Sequence, residues 1–175
     1  MTGKTFLNSI ANGEKDILQI FLDLLAEAGA NYCVVGGLAV NAYVEPVVSL
    51  DLDFVVVLKD LEKITKLAET KGFKIEKHEY RLNLSSPGSD LRIQLQTDSR
   101  YQAFIPRSTP KEILGYRMQV ARKEDVLQGK VWAYTDETRR RSKRQKDLAD
   151  IMRLVESYPE LENMLPEGIR EELKR

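Results

Sequence analysis

Apolar residues recur along this chain in two rhythms, and the switches between them mark out the elements. Ile17, Phe21, Leu24, Leu25 and Ala28 form a helical stripe, predicting a helix over residues 14–28 with Asn12 as cap and Gly29 as stop. Tyr32-Cys33-Val34-Val35 is a short apolar run that reads as a buried strand ending at Gly36-Gly37. Leu38 to Tyr43 predicts a short helix closed by Pro46, and residues 51–58 predict a strand rich in Val and Phe. Residues 60–70 carry Leu61, Ile64, Leu67 and Ala68 on one helical face, with Gly72 as the stop.

The rhythm then shortens to two. Strand-like segments fall at 73–76 and 80–84, and Ser85-Ser86-Pro87-Gly88-Ser89 is a strong turn signal. In the stretch "DLRIQLQTD", Leu91, Ile93 and Leu95 face one side while Arg92, Gln94 and Gln96 face the other. Thr109-Pro110-Lys111-Glu112 resembles a capping box with Pro at the first helical position, predicting a helix start there. Residues 116–120 read as another strand. From Lys123 onward the pattern is helical, over 123–134, 142–157 and short pieces after Pro159 and Pro166. This order predicts an α+β fold, a mixed sheet backed by helices with a C-terminal helical part. The expected division is residues 1–121 as the core with its N-terminal helix and 122–175 as the helical part.

Composition narrows the chemistry. The 27 basic and 27 acidic residues cancel, so bulk charge points to neither nucleic acid nor membrane. The first residues lack the continuous apolar core of a signal peptide, and no apolar run approaches the ~20 residues that span a bilayer. The single cysteine, Cys33, rules out an intrachain disulfide and fits a cytoplasmic setting; its apolar strand makes it a core residue. His78 is the only histidine, which excludes a zinc site of several His and Cys ligands. Carboxylates are the remaining metal ligands, and they favour Mg²⁺ or Mn²⁺.

One carboxylate pair stands out. Asp51 and Asp53 are two apart on a predicted strand, so both side chains point to the same face while Leu52 and Phe54 point to the core. Like charges at that spacing repel and resist desolvation unless a cation joins them. A solvated strand entrance is the plainer alternative. Gly36-Gly37 is also open to two readings: a tight turn with close packing, or a turn whose bare backbone N–H groups approach phosphate.

The order strand, Gly-Gly, short helix and then a strand opening with Asp-x-Asp, with Asp51 fourteen positions after Gly37, resembles the signature of the DNA polymerase β-type nucleotidyltransferase superfamily. The stretch "VARKEDVLQGKVWAYTDETRRRSKRQKDLADIMRLVES" adds a likeness to the AbiEii-type abortive-infection toxins and related minimal nucleotidyltransferases, and the whole resemblance spans residues 17–157. It implies a nucleotidyltransferase sheet holding NTP and Mg²⁺, moving a nucleoside monophosphate to an RNA or protein acceptor, with an antitoxin as a further partner. It places phosphates near Gly36, Gly37 and Leu38, metal at Asp51 and Asp53, a phosphate-contacting lysine at Lys130, and an acidic residue lining the site at Asp147. Ser49 stands where the group often has a Thr before Asp-x-Asp.

The family pattern also has a third carboxylate on a later strand. The matching strand here offers Arg92, Gln94 and Gln96, and an amide brings neither a base nor a negative charge. A catalytically weakened nucleotide- or RNA-binding regulatory module is therefore the alternative function. Finally, Arg139, Arg140, Arg141, Lys143, Arg144 and Lys146 crowd into eight positions at a helix start, where cations oppose the helix dipole. An anionic neighbour would account for them, which makes Arg141 and Arg144 candidate phosphate contacts. Arg92 is another candidate; Trp132 and Tyr134 read as packing between helices.

Overall fold

A computed structural model describes residues 2–175. Seven strands form one mixed sheet: β1 (Tyr32–Val35), β2 (Asp51–Val56), β3 (Lys74–Lys77), β4 (Arg81–Ser85), β5 (Arg92–Gln96), β6 (Thr109–Ile113) and β7 (Tyr116–Val120). Their order across the sheet is β3-β4-β5-β2-β1-β7-β6. β2 therefore lies at the centre, antiparallel to β1 and parallel to β5. The helices are α1 (Gly3–Ile10), α2 (Ile17–Glu27), α3 (Gly36–Val40), α4 (Leu61–Thr70), α5 (Lys123–Thr135), α6 (Arg141–Ser157) and α7 (Glu167–Leu173). The fold is α+β, as the order of elements predicts.

The period-two alternation explains the two faces of this sheet. Leu52 and Phe54 of β2 pair with Ile93 and Leu95 of β5, which pair in turn with Leu84 and Leu82 of β4. This apolar face is covered by α2, whose Phe21 meets Phe54 edge-on at 5.0 Å and Phe73 at 6.4 Å. The same registers put Asp53, Gln94 and Asn83 in a row on the opposite face, with Gln96 and Arg81 in the next row. One face of the sheet is core and the other is chemically equipped. No helix among the described residues is long and apolar enough to cross a membrane.

Several boundaries differ from expectation. α2 begins at Ile17 because Asp16, not Asn12, caps it: Asp16 Oδ1 accepts the Gln19 backbone N–H at 3.1 Å. Asn12 instead takes a left-handed conformation (φ 51°) and donates its amide to Asp90 at 2.8 Å. The strand over 51–58 stops at Val56, and α3 starts two residues early, at Gly36.

The capping-box reading of Thr109–Glu112 is overturned, since this stretch is β6, an antiparallel edge strand. Its proline is tolerated because an edge strand leaves one row of N–H positions unpaired. Ile113 pairs with Tyr116, so Leu114-Gly115 is a two-residue hairpin loop with both φ values positive (52° and 83°), as a type I′ turn requires. α1 and the 3₁₀ segment Ser99–Arg107 were not anticipated, because neither carries a full-length apolar period.

Phe21→Ala tests the apolar layer. It removes a fully buried ring from between two others and should lower unfolding stability by about 3–5 kcal/mol. Urea unfolding checks this: the midpoint should fall with the slope unchanged.

Candidate active site

The polar face of the sheet looks into a cleft of about 870 Å³, floored by Asp53, Gln94, Gln96 and Arg81 and walled by Tyr101 and by Lys130 and Trp132 of α5. β1 delivers Gly36 to its edge through the pairing of Val35 with Asp53. Gly36 has φ +66°, and a β-carbon there would collide with Asp53 Oδ2. The glycine is required twice, by backbone conformation and by the carboxylate packed against it. On α5 a β-carbon at Gly129 would lie 3.3 Å from the Tyr101 ring, so the helix and that ring pack closely there.

The two carboxylates of β2 have unlike surroundings. Lys143 Nζ of α6 lies 3.0 Å from Asp51 Oδ2, and Arg92 Nε lies 2.8 Å from Oδ1. The Arg92 contact is an ion pair without hydrogen-bond alignment, since Oδ1 is buried and lacks a hydrogen-bond partner. Burial alone would raise the Asp51 proton affinity, but Lys143 and Arg92 outweigh it and hold the carboxyl below its ordinary range.

Asp53 is pushed up to about 6, first by burial, which the charges of Lys130 and Arg139 only partly offset, and further by Asp51 and Asp147. Part of the residue is open at the cleft floor, yet Oδ1 is buried and unpartnered. Two neighbouring carboxyls with separated proton affinities are a common arrangement for acid–base or metal chemistry.

Above them lies a buried charge network. Lys130 Nζ is 3.0 Å from Asp147 Oδ1 and 2.9 Å from Asp150 Oδ2, both on α6. Burial lowers the affinity of Lys130 for its proton, but Asp150 and Asp147 reverse this and leave it raised. Arg139 Nε approaches Asp147 Oδ2 at 2.7 Å, and Arg153 approaches Asp150 at 2.7 Å. Tyr101 is pushed up to about 12 by burial and by Asp53, so its hydroxyl stays protonated.

Of the residues singled out in the sequence, Gly36, Asp53, Gln94, Lys130 and Asp147 meet at the cleft. Asp51 stands beside them on β2, engaged by Arg92, so that arginine is already partnered. Gly37 approaches Asp150, while Leu38 is buried in the core and offers only its backbone. Ser49 accepts the Asp51 backbone N–H at 3.2 Å and shapes the start of β2. Arg144 donates to the Tyr134 carbonyl at 2.7 Å, and Arg141 is exposed at the first turn of α6. Neither lines the cleft. Trp132 stacks on Phe104 at 5.6 Å and carries Arg100 over its ring, in keeping with the packing role read for it.

Sequence reasoning missed Asp150, Tyr101 and Arg81. Asp150 was findable, three positions after Asp147 and so on the same helical face. Tyr101 and Arg81 come from an irregular segment and a hairpin strand, where no local signal marks a cleft residue. Gln94 is the register neighbour of Asp53 on β5. Among the described residues, no group of three or more His, Cys, Asp and Glu side chains converges as a metal site.

No family model matches this chain, and no curated protein matches it by sequence. Solved structures do. The antibiotic-resistance factor ANT(2″)-Ia, in complex with adenylyl-2″-tobramycin, superposes with a TM-score of 0.66 at 15% identity, over 90% of this chain and 95% of that one. The lincosamide antibiotic adenylyltransferase LnuA, with lincomycin bound, gives 0.57 at 15% identity over 82% and 99%. An antigenic nucleotidyltransferase-like protein from Paracoccidioides brasiliensis gives 0.51 at 17% identity over 86% and 75%. At these identities the likeness defines the fold, which is of the nucleotidyltransferase type.

Two measurements probe the charges. The raised proton affinity of Asp53 favours the folded state fully below pH ~4, and this contribution is lost as pH rises through about 6. Asp53→Asn should therefore raise stability by about 2 kcal/mol at pH 7.5 and give no gain at pH 4, read by urea unfolding at both pH values. Lys130→Met leaves Asp147 and Asp150 without their shared ammonium. It should cost about 3 kcal/mol in the same assay, tempered by Arg139 and Arg153.

Proposed function

We propose that this chain is a divalent-metal-dependent nucleotidyltransferase that moves a nucleoside monophosphate from an NTP to an acceptor hydroxyl. The observation that carries this reading is the Asp51–Asp53 pair: two carboxylates on one face of β2 against the Gly36 turn, with Asp53 Oδ1 buried and unpartnered and Asp51 Oδ1 met only by the unaligned Arg92 ion pair. These hard oxygen donors fit Mg²⁺ or Mn²⁺, and a cation there would relieve both the repulsion and the burial that raise Asp53. When bound, the metal would offset triphosphate charge and polarise the phosphoryl oxygens.

The chain's own residues supply the rest. The Gly36-Gly37 turn presents backbone N–H groups with no side-chain cap competing for them. Lys143 stands at Asp51, where its ammonium would offset triphosphate charge. Lys130, held by Asp147 and Asp150, keeps a fixed positive charge near Asp53. In the transfer, the acceptor oxygen bonds to the α-phosphorus and the bond to the β-phosphate bridging oxygen breaks. Pyrophosphate leaves with the electron pair, and Asp53 is the carboxylate offered to the hydroxyl proton. Positioning and charge stabilisation carry most of the rate in such displacements.

The resemblance to AbiEii-type toxins supports an RNA or protein acceptor and an antitoxin partner. The lincomycin bound to LnuA and the adenylyl-2″-tobramycin bound to ANT(2″)-Ia support a small acceptor instead. One observation favours a second reading, a nucleotide-binding module with weakened catalysis: the neighbour of Asp53 on β5 is Gln94, an amide.

Thermal unfolding against each NTP with Mg²⁺ or EDTA, together with pyrophosphate release, separates the readings. A Mg²⁺-dependent stabilisation of about 2.7 kcal/mol at a hundredfold excess over Kd, lost in Asp51→Asn, is expected from both. Pyrophosphate release that falls at least about 100-fold in Asp51→Asn is expected from the enzyme alone. No stabilisation by any NTP would sink both.

A further inference from the structure

The floor of the cleft is unequal on its two sides. On the β1 side of Asp53 lies the glycine turn. On the other side, across β5, the hairpin strand β4 brings up Arg81, paired in register with Gln96. Among the described residues Arg81 has no carboxylate partner, and its Nε is buried without a hydrogen bond. The neighbouring Asn83 also has a buried, unpartnered oxygen, Oδ1. The amides of Gln94 and Gln96 stand between this pair and β2. Buried polar groups are nearly always paired in folded proteins, so the orphaned donor of Arg81, which lines the cleft, points to a ligand there.

The nearby acids do not fill that role. Asp98 Oδ2 accepts both Nε–H and Nη2–H of Arg100, at 3.0 and 2.8 Å, and Glu79 is exposed at the rim. Two strand spacings and two residues of rise separate the Asp53 and Arg81 backbones by ~12 Å. That distance puts Arg81 on the side of the carboxylate pair away from the glycine turn.

Resting on the nucleotidyltransferase reading, we propose that Arg81, with Gln94 and Gln96, forms the acceptor subsite. Its ligand is a small hydroxyl-bearing molecule that carries one carboxylate or phosphate group. A guanidinium fork with flanking amides matches either anion. The size and charge of the site favour a small molecule over a nucleic acid. A polyanion needs a track of free cations through the cleft, but Lys143 and Arg139 are turned inward onto Asp51 and Asp147, and the exposed Arg140, Arg141 and Lys146 lie outside its lining.

The test needs no nucleotide. Glycerol 3-phosphate, D-glycerate and glycerol are titrated into the full chain, with the Arg Nε–H resonances and the melting temperature as readouts. One of the two anions should shift the Arg81 resonance saturably while glycerol does not, and the tighter one identifies the group as phosphate or carboxylate. Arg81→Gln should weaken that binding about tenfold, Arg81→Lys less, and Asp53→Asn should leave it intact. The Lys variant keeps the charge should the Gln variant fold poorly.

No response to either anion overturns the subsite. So does weaker Mg²⁺·NTP binding in Arg81→Gln with anion binding unchanged, since Arg81 would then hold triphosphate. A response confined to a ten-residue oligouridylate overturns the small-molecule acceptor. Anion binding without any NTP binding would retain an anion site but remove the transferase on which the acceptor role rests, and NTP binding without anion binding would do the reverse.

Discussion

Two like charges on a central strand are the constraint around which this molecule is arranged. β2 is flanked by β1 and β5, so its side chains cannot escape to an edge, and Asp51 and Asp53 must be compensated where they stand. The C-terminal helices provide that compensation. Lys143 reaches Asp51 from α6, and Lys130 of α5 places its charge beside Asp53. Without α5 and α6 the sheet would leave Asp51 with Arg92 of β5 alone and Asp53 with no compensating charge, which is costly in a low dielectric.

The same cations are themselves buried and must be satisfied. Lys130 is held by Asp147 and Asp150, and Arg139 closes on Asp147. Charge alternates through the network from strand to helix to helix. A buried network of this kind stabilises only while every member is present, so its main effect is to fix the helices over the cleft. Asp53 is the one member left incompletely compensated, and its raised proton affinity is the local sign of that strain. Stability withheld at one carboxylate is a common feature of sites that bind a cation.

Compensation on the β1 side contrasts with orphaned polar groups on the β4 side. Gly36 closes against Asp53 with no space for a side chain, whereas Arg81 and Asn83 keep unpaired atoms. This asymmetry gives the cleft a direction. Gln94, lying between the two sides, brings an uncharged amide to the middle of the floor.

Much of this was legible in the amino-acid sequence. The alternation in "DLRIQLQTD" and the Asp-x-Asp spacing determine which side chains share a sheet face, because strand geometry permits only one answer once the strand exists. The apolar stripe of residues 17–28 likewise determines that α2 must cover something. What the sequence could not settle was partnership across distance. Thr109–Glu112 carries the local marks of a helix start, yet pairing with β7 makes it a strand, and nothing within four residues announces that ladder. The basic run 139–146 suggested an external anion, but tertiary packing spends Arg139 and Lys143 on internal carboxylates up to 92 positions away. Residue type and spacing are local, and they determined the elements and the carboxylate pair. Which cation meets which carboxylate, and which polar groups are left without a partner, depend on contacts between segments far apart in the chain, and only the folded structure brings those together.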